Sequence, residues 1–183
     1  MKWMIASDIH GSAYYCEQVK KAFIDESADR LILLGDLLYH GPRNALPKDY
    51  DPQKTADILN SMKDSILCVR GNCDAEVDQL VLDFPIMADY MLLPVEKRLV
   101  FVTHGHVYNE SSLPPLKKGD ILLHGHTHVT KCTKHEDYTY INPGSAAIPK
   151  EGTLNGYMIL EGSTFFWKDF DRNVLMTYDI GEN

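Results

Sequence analysis

Asp-Ile-His at 8–10, Gly-Asp at 35–36, Gly-Asn-Cys-Asp at 71–74, His-Gly-His at 104–106 and His-Gly-His-Thr-His at 124–128 are the segments whose residue types could do chemistry. Carboxylate, amide and imidazole donors together are what a borderline divalent cation takes. In extended chain, residues i and i+2 project to the same side, so Asp8 with His10, and His126 with His128, could each offer two donors to one place. Singly, most of these segments have an ordinary explanation: Asp36 as a helix N-cap, Asn72 as a turn residue. Their joint occurrence is what carries weight, because each follows a short apolar run.

Those runs are Trp3–Ser7, Leu31–Leu34, Ile66–Val69, Leu99–Thr103 and Ile121–Leu123. Four or five apolar residues without alternation predict strands buried on both faces. Between the first two, Ser12–Ser27 has helical spacing with Ser12 as N-cap, and Asp51-Pro52 opens a second helix. Strand, helix, strand, helix, strand implies a parallel sheet with right-handed crossovers, and ligands of such sheets bind beyond the carboxyl ends of the strands. All five segments occupy that position. In the second half, Met87–Leu93 and Leu99–Val102 flank Pro94–Lys97 as a hairpin, and Lys131–His135 pairs with Tyr138–Ile141. Tyr157–Leu160, Thr164–Lys168 and Val174–Tyr178 add further strands. This half predicts a second sheet packed on the first, with helices outside. The long unpatterned stretch Gly35–Asp51 reads as a functional rim.

The chain has 183 residues, with 18 Lys plus Arg against 26 Asp plus Glu for a formal charge of −8. One domain over residues 1–183 is expected from that length. The acidic balance opposes an extended nucleic acid or an anionic membrane as partner but not a small phosphate ester, since a local site can reverse the sign. Eight histidines are the odd feature of so acidic a chain. The four cysteines form no C-x-x-C pair and no dense framework, which predicts free thiols and a reducing, cytoplasmic setting. No signal-peptide pattern or transmembrane window is present, in keeping with that expectation.

In order, D-x-H, G-D, G-N-x-D, G-H and G-H-x-H resemble the motif set of the calcineurin-like metallophosphoesterases, from Asp8 to His128. The resemblance implies an α/β fold, a four-layer α/β/β/α sandwich of two mixed sheets, with a dinuclear metal centre at one edge. One ion would take Asp8, His10, Asp36 and His128; the other would take Asp36, Asn72, His104 and His126, with Asp36 bridging. Size and the lack of a cap are similar to compact bacterial phosphodiesterases of that family. The implied reaction is attack of a metal-bridging hydroxide on phosphorus in line, with Asp36, Asn72 and His104 at the reacting centre. An all-N/O donor set suits Mn²⁺ first, and also Fe²⁺, Ni²⁺, Co²⁺ or Zn²⁺. The Asn142-Pro-Gly-Ser145 turn also resembles a family segment.

Arg70 is a candidate for the substrate phosphate and His106 for substrate or for a ligand's outer contacts. Cys73 departs from the family pattern, in which many members have histidine there, paired with the acid that is Asp74 here. A thiol of unperturbed pKa ~8.5 is a poor proton donor at neutral pH. Cys73 is therefore predicted not to act as general acid, and turnover to favour good leaving groups. Asp74 reads alternatively as the N-cap of a helix opening at Ala75. Two other functions compete: a phosphomonoesterase, and a protein-binding scaffold of the same fold, like a retromer subunit with a degraded metal centre. Seven competent ligands favour an enzyme. Late alternating strands leave an edge through which a homo-oligomer could form.

Overall fold

The computed structural model describes residues 1–181. The first three apolar runs form β1 (Lys2–Ala6), β2 (Arg30–Leu33) and β3 (Ile66–Cys68), paired in parallel. Two helices make the crossovers. In α1 (Ala13–Asp25) the Ser12 hydroxyl accepts from the Tyr15 N–H, and in α2 (Pro52–Asn60) the Asp51 carboxylate accepts from Lys54 N–H, with Pro52 in the first turn. Both caps satisfy backbone donors that a helix start leaves unpaired.

A second sheet has the order β4-β5-β6-β8-β7, with β4 (Tyr90–Val95), β5 (Arg98–Thr103), β6 (Asp120–Leu123), β7 (Thr130–Lys134) and β8 (Tyr138–Pro143). Its β5, β6 and β8 run parallel, flanked by antiparallel edges. The β4–β5 connection is tighter than the sequence predicts: Pro94 lies inside β4, opposite Leu99, and only Glu96-Lys97 turn. An edge strand tolerates proline because one side of its backbone need not donate.

The last three strands do not join this second sheet, as their sequence position suggests. Instead β9 (Gly156–Glu161), β10 (Thr164–Asp169) and β11 (Val174–Asp179) extend the first, giving β11-β10-β9-β1-β2-β3 with β9 antiparallel to β1. The side chains of β9 explain the choice. Tyr157 and Ile159 pack with Met4, Ala6, Leu31 and the helices, while Met158 and Leu160 pack with Ile5, Ile32 and the second sheet's Val100, Ile121 and Ile141. A strand apolar on both faces needs cover on both faces, which the position beside β1 supplies.

Two mixed sheets therefore face each other, with α1 and α2 outside the first. The outer face of the second, Phe101, Leu122 and Tyr140, is covered by Tyr108 and Leu116. Both come from the segment between β5 and β6, which forms no helix among the described residues. No described helix is long and apolar enough to cross a membrane.

At the far end of α1, Glu26 ties four elements together. Its carboxylate accepts from Lys168 Nζ at 2.7 Å and Tyr157 OH at 2.9 Å, and lies 3.2 Å from Lys2 Nζ. Burial opposes its ionisation, but Lys168, Tyr157 and Lys2 outweigh that and hold Glu26 below the usual carboxylate range. A carboxylate depressed on folding stabilises above its unfolded pKa of ~4.3 and loses that contribution as pH falls through the lower folded value. The melting midpoint of the wild type is thus expected to fall more steeply than that of Glu26→Gln between about pH 5 and pH 3. Parallel curves for the two proteins would contradict this.

Candidate metal centre

Asp8 follows β1, Asp36 follows β2, Asn72 follows β3, His104 follows β5, and His126 and His128 follow β6. Backbone hydrogen bonds lace these loops together: His10 N–H donates to Asp36 O at 2.9 Å and Gly11 N–H to Leu37 O at 2.8 Å. Asp8, His10, Asp36, His126 and His128 all have positive φ, between 51° and 65°. Left-handed backbone is uncommon for residues other than glycine and collects at functional sites.

The donor atoms fall into two groups that share Asp36. In the first, His10 Nε2 lies 3.2 Å from His128 Nε2, 3.5 Å from Asp8 Oδ1 and 3.6 Å from Asp36 Oδ2. His128 Nε2 is 3.2 Å from Asp8 Oδ1. In the second, His104 Nε2 lies 3.0 Å from Asn72 Oδ1, 3.2 Å from His126 Nδ1 and 3.6 Å from Asp36 Oδ1. All seven sequence-predicted ligands thus converge. The first group is buried, whereas Asn72 is exposed and His126 half-buried, so the second group forms the open side.

Three rings have their tautomer fixed from behind. Nδ1–H of His10 donates to Tyr39 O, that of His104 to Leu34 O and that of His128 to Ile148 O, at 2.7, 2.7 and 2.9 Å. A carbonyl only accepts, so each Nδ1 carries the proton and each Nε2 turns a lone pair toward the site. Asp8 Oδ2 accepts from Ser7 Oγ at 2.5 Å and from His126 N–H at 3.0 Å. Its Oδ1 is buried without a hydrogen-bond partner. A buried carboxylate oxygen facing two imidazole lone pairs is a costly arrangement unless a cation joins them. The donors present therefore fit divalent metal.

Charges shift accordingly. Burial disfavours ionised Asp8, but His10 and His128 outweigh it and hold its carboxyl well below the ordinary range. Burial likewise works against protonated His10, and Asp8 overcomes it, raising the imidazole. His126 is lowered by burial and by His104. Burial and the neighbouring Asp36 push the Cys73 thiol up to about 12. Its Sγ is nonetheless within 4.8 Å of donor atoms on His10 and Asp36, a proximity the spacing alone does not reveal.

Asp74 caps no helix. Its Oδ2 accepts from Asp36 N–H at 2.9 Å and Gly71 N–H at 2.7 Å, and its Oδ1 from Leu37 N–H at 2.9 Å. The segment after it holds only a short 3₁₀ turn at Asp78–Leu80, with Asp78 accepting from Ala75 N–H. Asp74 clamps the loop after β2 to the loop after β3, and so sets where Asp36 sits. Close packing needs Gly71 beside it: a Cβ there would lie 2.1 Å from Asp36 Oδ1. Ser145 Oγ–H donates to Asp8 O, and Asn142 Nδ2–H to Gly125 O, so the Asn142–Ser145 turn braces the loops after β1 and β6.

Arg70 is placed elsewhere: its guanidinium is 3.6 Å from Asp89 and does not line the cavity at the donors. His106 stands 5.4 Å, ring to ring, from His104, lowered by burial and by that ring. The cavity, of about 380 Å³, is lined by Asp36, Asn72, Cys73, His126 and His128 together with Arg43 and Lys150. Neither cation is singled out by sequence pattern, although Arg43 lies in the loop expected to be a rim.

A family model described as the calcineurin-like phosphoesterase superfamily domain matches residues 1–164. Phosphodiesterase YfcE of Escherichia coli strain K12 is 46% identical over 161 residues, 88% of either chain. A solved structure of YfcE, described as a phosphoesterase from E. coli, superposes with a TM-score of 0.95 at 41% identity, covering 99% of this chain and 100% of that one. Vps29 of Chaetomium thermophilum superposes at 0.61 with 17% identity over 98% of each chain, a likeness of fold alone. Donor set, sheet order and these matches agree, and the chain belongs to the calcineurin-like phosphoesterase superfamily.

Proposed function

We propose that this protein is a phosphodiesterase that works with two divalent metal ions, Mn²⁺ foremost, held by Asp8, His10, Asp36 and His128 on the buried side and by Asp36, Asn72, His104 and His126 on the open side. The observation that most supports this is the division of Asp36, with Oδ2 facing His10 and Oδ1 facing His104. When bound, two such ions lower the pKa of water and neutralise charge on the phosphoryl oxygens.

The chain's own part is positioning. Carbonyls of Leu34, Tyr39 and Ile148 hold three imidazoles in one tautomer and orientation, so little reorganisation accompanies binding. Asp74 holds the Asp36 backbone, and the exposed Asn72 and half-buried His126 leave the substrate an approach from the open side. Cys73 lines that approach as a thiol too weakly acidic to serve as a good proton donor, so the departing alcohol leaves largely unassisted. The similarity to a phosphodiesterase at 46% identity supports diesters over monoesters. A full set of donors, three locked from behind, gives a scaffold role no support. The free cysteines suit a cytoplasmic setting.

The test is metal analysis of purified protein beside rates on phosphomonoesters, linear diesters and cyclic nucleotides. The expected result is bound transition metal, hydrolysis restored best by Mn²⁺ after chelation, and diesters cleaved above monoesters. Protein without metal, or with rates unchanged by chelation, would remove the proposal. In the same panel, Cys73→His is expected to improve poor leaving groups relative to p-nitrophenyl esters. An unchanged ratio would sink the role assigned to the thiol.

A further inference from the structure

The cavity at the donors adjoins a second one of different lining, and His126 and Thr127 line both, as the wall between them. On one side stand Arg43, from the long loop after β2, and Lys150, from the loop after β8. The only carboxylate lining that side is Asp36, whose charge a bound cation would offset. Among the described residues neither Arg43 nor Lys150 has an ion-pair partner that would neutralise it within the cavity. Two unpaired cations brought by separate loops to one cavity of about 380 Å³ make a local positive site on a protein of formal charge −8.

The other cavity, of about 320 Å³, is lined by His106, Asn109, Glu110 and His124. It holds no Lys or Arg, and Glu110 is occupied by His135 at 2.9 Å and Lys131 at 3.5 Å. Asn109 is engaged within its own loop, its Nδ2–H donating to Gly105 O and its Oδ1 accepting from the Ser111 and Ser112 N–H groups. This side therefore gives a second anionic group no cationic partner. A monoester has one organic arm and would fill one cavity; a diester has two, one for each side of the wall.

We propose that the substrates are phosphodiesters with unlike arms, one carrying a second anionic group that Arg43 and Lys150 bind, the other uncharged and lying in the cavity lined by His106, Asn109 and His124. The inference rests on the phosphodiesterase reading and names its substrate class. Arg43 and Lys150 act here as specificity determinants, since neither belongs to the donor set.

Binding of phosphonopropionate and of propylphosphonate to the metal-loaded protein, by calorimetry, tests the anionic arm without any turnover. These probes share the phosphonate and differ in a terminal carboxylate. Wild type is expected to bind the carboxylate-bearing probe at least about tenfold tighter, and Arg43→Ala/Lys150→Ala to bind both alike while binding propylphosphonate as wild type does. Equal affinity of wild type for both probes, or a double variant that keeps the preference, overturns the proposal. Hydrolysis of bis-p-nitrophenyl phosphate is measured alongside. If wild type fails to cleave it yet retains the probe preference, the diester reading and the unlike-arms proposal fall, and Arg43 and Lys150 remain only an anion site. If it cleaves the diester but shows no preference, the unlike-arms proposal alone falls.

Discussion

Asp36→Asn is expected to reduce phosphodiester hydrolysis by about a thousandfold or more while leaving the melting temperature of the metal-free protein unchanged or higher. Each oxygen of Asp36 faces a different group of donors, 3.6 Å from His10 and 3.6 Å from His104. Asparagine keeps one oxygen and loses the charge, so no rotamer serves both sides with an anion. The fold has no comparable stake in that charge. Asn tolerates left-handed backbone, such as the φ of 55° at this position, and its oxygen can still accept from Cys73 N–H, as Oδ1 does at 2.8 Å. Removing a buried carboxylate from a cation-free site also relieves repulsion with Asp8 and Asp74. Rates on bis-p-nitrophenyl phosphate, metal content and a melting curve check this together. Retention of both metal and activity would show that the shared carboxylate has been misassigned.

Asp74→Ala should fail differently, losing stability and activity at once. Three buried N–H groups, of Asp36, Leu37 and Gly71, lose their acceptor, and each unsatisfied donor costs about 1–3 kcal/mol. Several kcal/mol in total is a large share of a typical domain's ~5–15 kcal/mol, and the melting midpoint is expected to drop by roughly 10 °C or more. Without the clamp the Asp36 backbone is free to shift, so metal affinity should fall even at temperatures where the protein remains folded. Asp74→Asn, which keeps one acceptor oxygen, should recover part of the stability. If Asp74→Ala lowered only the rate and left melting and metal content as in wild type, Asp74 would instead be a participant in the reaction.

The contrast between these two aspartates marks what could be read from the chain alone. Asp36 is legible because it shares a position, the end of an apolar run, with four other donor-bearing segments. Repetition of one pattern is a sequence property. Asp74 has the same residue type and a similar setting, yet its task is fixed by three N–H groups from two loops, 37 and 38 positions away for two of them, and no local pattern encodes that. Likewise the strands β9–β11 were recognisable as strands, but which sheet they join depends on where a doubly apolar strand finds cover on both faces. That is settled by the whole assembly. Arg43 and Lys150 are single cations separated by more than a hundred residues, with nothing periodic to announce them.

The positive φ angles of Asp8, His10, Asp36, His126 and His128 bear on any attempt to move this chemistry to another scaffold. An idealised α/β sheet of the same strand order, built with ordinary negative-φ loops, could carry all seven ligand residues at matching positions and still aim five of them away from a common point. What a designer would have to copy is the handedness of the loops, with Gly71 and Gly125 left bare beneath the carboxylates, because the backbone route delivers the side chains.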